Sequence, residues 1–431
     1  MRRVTRVIGL AVSAVFLLGA CTSVPPLGGG NSNITETQPT AEPTLEPTDD
    51  PDYDPDYVPN RWVPLPDTFT DANALVQAIT VGWNLGNTLD ANVGTAAASI
   101  RHNSPERQET HWGNVITSEQ TILLVRDAGF NAIRIPVTWF AMVDENFTIR
   151  EDWMDRVQHV VDYAYDNGMI VILNTHHDES MWSLFDEDID HSYSVIEIIW
   201  TQIANRFRDY GQRLVFEGLN EPRTVGSENE WSGGTPEERN NVNVLNQVFV
   251  NTVRATGGNN EQRFLISSPY AASASAAAVY DFALPYDPAG PGKQIVSIHM
   301  YAPYPFALTT SGGPVLEWSV DGEGDSGPSA IIDGLDRAYH RFVEAGIPVI
   351  FGEMGAQNRN NPESRIAWAD FYVREARKRG MRTFWWDNGG IGLVIEGFNT
   401  GDHFALFNRR TGQPSQPQLI NAIMHAVEQT P

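Results

Sequence analysis

The 431-residue sequence contains one cysteine, Cys21. That excludes an intramolecular disulfide and any zinc site built on cysteine. Positive charge is scarce, with 29 Lys and Arg against 54 Asp and Glu and a formal charge of −25. A nucleic-acid binder needs a basic face to displace counterions from phosphates, and docking on anionic lipid needs the same. Neither class fits. The apolar run at the N-terminus, Val7 to Leu18, is too short to span a bilayer as a mature helix. No Gly-x-Gly-x-x-Gly follows the first candidate strand, no phosphate loop occurs, and no internal repeat is visible. Hydrophobic residues make up 41% of the chain and charged residues 19%, so most of it can bury a core.

The first sixty residues read as an address and a tether. Arg2, Arg3 and Arg6 precede the apolar run, which ends in Leu18-Gly19-Ala20-Cys21. A basic start and a short apolar stretch mark an export signal. The ending resembles the lipobox of bacterial lipoproteins, which implies that residues 1–20 are removed and Cys21 is lipidated as the new N-terminus. Ordinary signal cleavage beside a chance Cys is the alternative. On either reading the protein is exported, to the bacterial cell envelope or beyond it, and touches a membrane only through its N-terminal lipid. Residues 21–60 hold Gly28-Gly29-Gly30, Pro/Thr/Glu stretches and a doubled Asp-Pro-Asp-Tyr, with no Lys or Arg between Val7 and Asn60. Like-charged, Pro-rich chain stays extended and solvated, so a disordered linker is expected.

From residue 61 to 431 short apolar runs alternate with amphipathic stretches. Eight runs have strand character: Val81–Leu85, Ala132–Ile135, Ile170–Leu173, Leu214–Gly218, Phe264–Ser267, Ile295–Ile298, Val349–Phe351 and Thr383–Trp386. Helical segments lie between them, for example Thr117–Ala128 and Trp153–Asn167. The second carries Val157, Val160, Val161 and Ala164 on one face, with Gly168 as its stop. Alternating β and α with near-continuous apolar strands indicates a parallel sheet. Eight units predict one closed (β/α)8 TIM barrel rather than a doubly wound sheet. No separate binding module is left over.

Chemistry in such a barrel sits at the C-terminal ends of the strands. There the sequence places Asn84, Asn87 and Asp90 for strand one and Arg134 for strand two. Asn174, His176, His177 and Asp178 follow for strand three, and Asn220 and Glu221 for strand four. His299 and Tyr301 belong to strand six, Glu353 to strand seven, and Trp385 and Trp386 to strand eight. Single polar residues could be caps, but seven of eight ends make a polar mouth. Glu221 and Glu353 each follow a buried apolar strand. Taken singly, either could be paired to an Arg such as Arg134 or Arg223. As a facing pair, their pKa values are driven apart, which gives one ionised and one protonated carboxyl. Cleavage of a glycosidic bond needs that combination.

Gly82-Trp83-Asn84-Leu85-Gly86-Asn87-Thr88-Leu89-Asp90-Ala91, Glu109-Thr110-His111-Trp112-Gly113-Asn114, Gly129-Phe130-Asn131-Ala132-Ile133-Arg134-Ile135-Pro136, Asn174-Thr175-His176-His177, Leu219-Asn220-Glu221-Pro222, His299-Met300-Tyr301 and Trp385-Trp386-Asp387-Asn388 resemble glycoside hydrolase family 5, the cellulase family. The resemblance runs from about residue 75 to 425, with motifs in family order. It implies a retaining endo-acting hydrolase of β-1,4-glucan chains (cellulose, mixed-linkage glucan or xyloglucan), with Glu221 as acid/base and Glu353 as nucleophile. By it, Arg134 and Asn220 position the nucleophile and the sugar 2-hydroxyl, and His176, His299 and Tyr301 orient the carboxylates. Asn87, Asp90 and His177 line the glycone side. One Trp of the strand-eight pair, Trp385 before Trp386, stacks under the sugar nearest the cut. The branch of endoglucanases and xyloglucanases is the most similar, although Asp178 and then Glu179 stand where it usually has Glu directly after the His pair. A β-mannanase, or a glucan-binding lipoprotein that does not cut, are the alternatives.

No cofactor or metal is expected, because adjacent His residues on a strand point to opposite sides. The remaining expectations are a β-glucan partner, a monomer, and no nucleic acid. Trp182, Trp231 and Trp318 are either distal sugar platforms or loop packing. The Ala271–Ala278 run reads as a tightly packed helix.

Overall fold

The computed structural model describes residue 62 and residues 64–309, 313–391 and 403–430. The export signal, Cys21 and the whole linker lie outside the described residues. Eight parallel strands close in sequence order into a barrel. They are β1 Gly82–Leu85, β2 Ala132–Ile135, β3 Ile170–Asn174, β4 Leu214–Glu217, β5 Leu265–Ser267, β6 Gln294–His299, β7 Val349–Met354 and β8 Arg382–Asp387. All eight expected strands are present, and β8 pairs back onto β1 through Asn84 and Trp386. The domain is therefore the (β/α)8 barrel that the pattern predicted.

Helices follow each strand and cover the outside. Glu151–Tyr165 turns Trp153, Val157, Val160, Val161 and Ala164 to the strands, and Gly168 at φ 83 lets the chain reverse. Pro236–Ala255, after β4, starts with a full capping box between Thr235 and Glu238. That box fixes where the long β4 loop ends. Among the described residues no helix is long and apolar enough to cross a membrane.

Two apolar layers result. The larger lies between strands and helices. The smaller fills the lower barrel: Ala132, Ile170, Ile172, Val215, Ile266, Ile295, Ile350 and Phe384 close on Leu75 and Val76 of the helix Ala72–Ala78. That helix plugs the bottom, and Asp71 caps it by accepting the Ala74 N–H at 2.8 Å. The mouth is thus left as the open end.

The Ala271–Ala278 expectation holds only in part. Ala271 and Ala272 adopt left-handed backbone at φ 52 and 46, and the helix begins at Ala276. The Ala271 N–H donates to the Pro222 carbonyl at 2.9 Å, which ties this turn to the Glu221 loop. A tertiary tether overrides helix propensity here.

Candidate active site

Alternation along each strand sets the site. Moving two residues up from the apolar layer turns Ala132 into Arg134, Ile172 into Asn174, Val215 into Glu217 and Phe384 into Trp386. Arg134 is fully buried and spans the mouth. Its Nε donates to Glu217 at 2.7 Å, Nη1 to Glu353 at 2.8 Å and Asn84 at 3.0 Å, and Nη2 to Asn220 at 2.6 Å. Burial alone would lower its pKa, but Glu217 and Glu353 outweigh that and raise it. Asn174 donates to Glu217 at 3.0 Å and lies 3.2 Å from His176 Nδ1.

Glu353 reaches the mouth through a bulge. The β7 register shifts between Phe351 and Met354, and Gly352 lies where a Cβ would meet Ser297 Oγ at 2.4 Å. A bulge of this kind re-aims the next side chain. Glu353 accepts from Arg134 and, at 2.9 Å, from the Tyr301 hydroxyl. Glu221 lies 2.8 Å from His299 Nδ1, which is 3.6 Å from Glu353. One oxygen of each carboxyl and that imidazole nitrogen all lie within 4.8 Å of one another.

The two carboxyls titrate as a pair. Burial pushes both up. In the free site, the hydrogen bond and charge of His299, then Arg223, bring Glu221 below its ordinary value. Glu353 stays above its own, because burial, with Glu221 adding, outweighs His299 and Arg134. A proton donor at Glu221 needs the reverse order, and the direct contacts favour that reverse. Glu353 holds a permanent cation at 2.8 Å. Glu221's short contact is to a titratable imidazole, and its permanent cation, Arg223, is 3.6 Å away and shared with Glu179 and Glu230. By contact with a permanent cation, Glu353 is the better stabilised carboxylate. Tyr301 is pushed well above its ordinary value by burial and by both carboxylates, so it stays a donor.

The residues expected on the glycone side cluster separately. His176 stacks parallel to Trp386 at 5.8 Å and meets His177 at 4.4 Å, and His177 in turn faces Trp112. Burial lowers both histidines, His177 to about 4, so both are neutral near pH 7. The expectation that their side chains diverge is corrected. β3 ends at Asn174, strand alternation does not extend to 176–177, and nitrogens of both rings lie within 4.8 Å of each other and of an Asp90 oxygen. Those three residues could hold an ion, as could Glu221, His299 and Glu353. Asp90 is fully buried and holds the first loop instead, accepting from Asn87 N–H at 3.0 Å and Thr88 N–H at 2.6 Å. Asn87, at φ 55, keeps its side chain half-buried beside it.

Trp385 is a correction. It is 1% exposed, points out of the barrel against Trp368, and donates to the Phe404 carbonyl at 2.8 Å. The partly open Trp386 is the strand-eight aromatic of the mouth. Trp182 and Trp318 are buried loop packing, whereas Trp231 is 64% exposed. Asp178 turns inward and accepts from the Trp139 and Phe140 N–H groups, while Glu179 pairs with Arg223 at 3.1 Å. Three groups went unnoticed as site members in the sequence. Glu217 is a further buried carboxylate, held by Arg134 and Asn174. Trp112 is an exposed indole. Arg223 was weighed only as an ion-pair partner. Alternation with Val215 on β4 is the signal that points Glu217 inward.

A sequence model of the family described as cellulase (glycosyl hydrolase family 5) matches residues 96–392. Endoglucanase B of Neocallimastix patriciarum is 41% identical over 353 residues, covering 81% of this chain and 70% of that protein. Among solved structures, a GH5-4 broad specificity endoglucanase from Ruminococcus champanellensis with bound cellotriose is 43% identical. It has a TM-score of 0.76 and covers 82% of this chain and 98% of that one. A GH5 family lichenase from Caldicellulosiruptor sp. F32 is 39% identical with a TM-score of 0.77, covering 86% and 99%.

Proposed function

The chain belongs to the cellulase family, glycosyl hydrolase family 5, and on that premise we propose that it is an endo-β-1,4-glucanase working by double displacement. The observation that carries the mechanism is the approach of Glu221 and Glu353, with an oxygen of each within 4.8 Å. Retaining enzymes keep the two carboxyl groups about 5–5.5 Å apart, whereas inverting ones leave roughly 6.5–9.5 Å for a water. Glu353 attacks the anomeric carbon while Glu221 gives its proton to the leaving oxygen. Glu221 then takes a proton from the water that cleaves the glycosyl ester. Two inversions give net retention. Arg134 and Tyr301 hold Glu353 ionised and aimed. Asn220, fixed by Arg134, faces the sugar 2-hydroxyl. Trp386 lies under the ring at the cut, with His176, His177 and Asn87 around the glycone. An open mouth carrying exposed indoles at Trp112 and Trp231 supports cutting within a chain.

Of the structures named above, one holds bound cellotriose and one is a lichenase, which supports cellulose or mixed-linkage glucan chains as substrate. Xyloglucan remains in the panel to be tested. Proton NMR during the first minutes of hydrolysis, before mutarotation, tests the mechanism. A β-anomer is expected first, and an initial α product overturns both the double displacement and Glu353 as nucleophile. For the N-terminus we propose export with lipidation at Cys21. Changing Cys21→Ala should move the protein from detergent phase to water.

A further inference from the structure

Arg223 lies two residues beyond Glu221 and serves four groups at once. Its Nε donates to Glu230 at 3.0 Å, and its Nη1 donates to Glu179 at 3.1 Å and to the Glu221 main-chain carbonyl at 3.0 Å. The same Nη1 is 3.6 Å from Glu221 Oε2, beyond hydrogen-bond length. The guanidinium face covers the Trp231 ring at 4.6 Å. Its side chain is 11% exposed, against 64% for Trp231. Glu230 also accepts the Gly226 N–H at 2.7 Å, which fixes the turn before the indole. An indole backed by a cation and open on its other face is a stiff platform for a sugar ring.

The side of the cleft follows from chemistry. A proton donor stands beside the leaving oxygen, and Trp231 is reached from Glu221 through Arg223 on the β4 loop. Trp112, by contrast, is reached through His177 and the glycone cluster. Trp231 therefore belongs to the leaving-group side.

We propose that Arg223 is a positioning residue that joins a leaving-group-side sugar platform, Trp231, to the carboxyl of Glu221, with Glu179 and Glu230 drawing its charge partly off that carboxyl. The inference rests on Glu221 being the proton donor. Three carboxylates share one guanidinium, so each limits what the others receive. Facing Glu221 are His299 on β6, Tyr301 beyond it, Glu353 on β7 and His177 beyond β3. Glu179 and Glu230 stand behind Arg223, and Arg134 stands behind Glu353. The cation favours ionised Glu221. Removing it keeps Glu221 protonated to higher pH, and freeing it from Glu230 does the opposite.

The test is the alkaline limb of kcat/KM on soluble mixed-linkage β-glucan, which reports the proton donor of the free enzyme. Arg223→Met should move that limb up by about half a pH unit or more, and Glu230→Gln and Glu179→Gln should move it down. In the Arg223→Met background the Glu230→Gln shift should fall to less than about half, because the effect passes through the guanidinium. Arg223→Lys should restore the limb. Trp231→Ala should raise KM on the polymer about five-fold or more. Its loss of kcat/KM on a dinitrophenyl cello-oligoside, which puts no sugar on that side, should be several-fold smaller than on the polymer. Shifts of one sign, an unchanged double-variant shift, or equal losses on both substrates overturn the inference. If Glu221→Ala does not spare the dinitrophenyl substrate, the proton-donor reading fails first. If it does spare it and the opposed shifts are absent, only this inference fails.

Discussion

The bottom and the mouth of this barrel are built from the same eight strands, two residues apart. At the bottom, Ala132, Ile172, Val215 and Phe384 meet the plug helix in a dry layer. At the mouth, the next inward positions are Arg134, Asn174, Glu217 and Trp386. The first layer contributes stability by removing apolar surface from water, on the order of 1.5–3 kcal/mol per large side chain. The second costs desolvation that only a complete set of partners offsets. Arg134 supplies four of those hydrogen bonds. Buried Glu217 Oε1 and His299 Nε2 still lack a partner within the protein. One end holds the fold, and the other spends part of that stability on a preorganised polar well.

The largest effect should come from the mouth alone. Glu353→Gln should lower kcat by at least ~10⁴-fold on every substrate, with an unfolding midpoint close to wild type. Glu221→Ala should lose about 10²–10⁴-fold on polymer but keep glycosylation of a dinitrophenyl glycoside, where the leaving group needs no proton. Steady-state and burst kinetics on both substrates check this. Equal loss on both substrates in both variants removes the assigned roles.

Adjacent tryptophans sharpen the comparison. Trp385→Ala should cost about 3–5 kcal/mol of stability, since it empties a packed site against Trp368. Trp386→Ala should leave stability nearly intact and raise KM or lower kcat instead. Urea unfolding and kinetics on the two variants decide it, and a reversed pattern puts Trp385 back in the mouth.

These two residues also show what the sequence made legible. Strand count, strand order, the eight β/α units and the clustering of Arg134, Asn220, Glu221, His299, Tyr301 and Glu353 follow from alternation and from the family resemblance, whereas the plug helix at the bottom does not. The doubled Trp hid its register, because both are aromatic and only the inward parity of Phe384 tells them apart. The Glu353 bulge has no pattern of its own beyond Gly352. Convergence of His176 and His177 depends on backbone past the strand end, where no periodicity applies. Glu217 was readable from Val215, but an apolar strand draws the eye to its ends.

The mouth should also be the pH-sensitive end. Burial raises Asp90 and Asp178 to about 7 against hydrogen bonds that lower them. A carboxyl raised in the folded state binds its proton more tightly there than in the unfolded chain. Its contribution is whole below about pH 4 and is lost as pH rises through about 7. Asp178→Asn keeps an acceptor for Trp139 and Phe140 and removes the titration. Stability of the variant should therefore gain on wild type between about pH 4 and pH 7, by up to ~1.4 kcal/mol per pH unit. Parallel stability–pH curves end the idea that Asp178 is protonated in the fold.

The smallest effect tests the bottom. Asp71 caps the plug helix through the Ala74 N–H, and nothing in the mouth touches it. Asp71→Ala should leave that donor unpaired at a helix N-terminus, which costs about 1 kcal/mol. The helix is only seven residues long, so its stability comes from packing Leu75 and Val76 under the barrel rather than from propensity. A weakened cap should therefore fray the helix start without opening the apolar layer. The unfolding midpoint should fall by a few degrees or less, while kcat, KM and the pH profile stay as in wild type. Hydrogen exchange at residues 72–76 should rise before any change appears at Arg134 or Glu217. If Asp71→Ala changes kcat, the two ends of the barrel are coupled through the strands, and treating the bottom as a support independent of the chemistry is wrong.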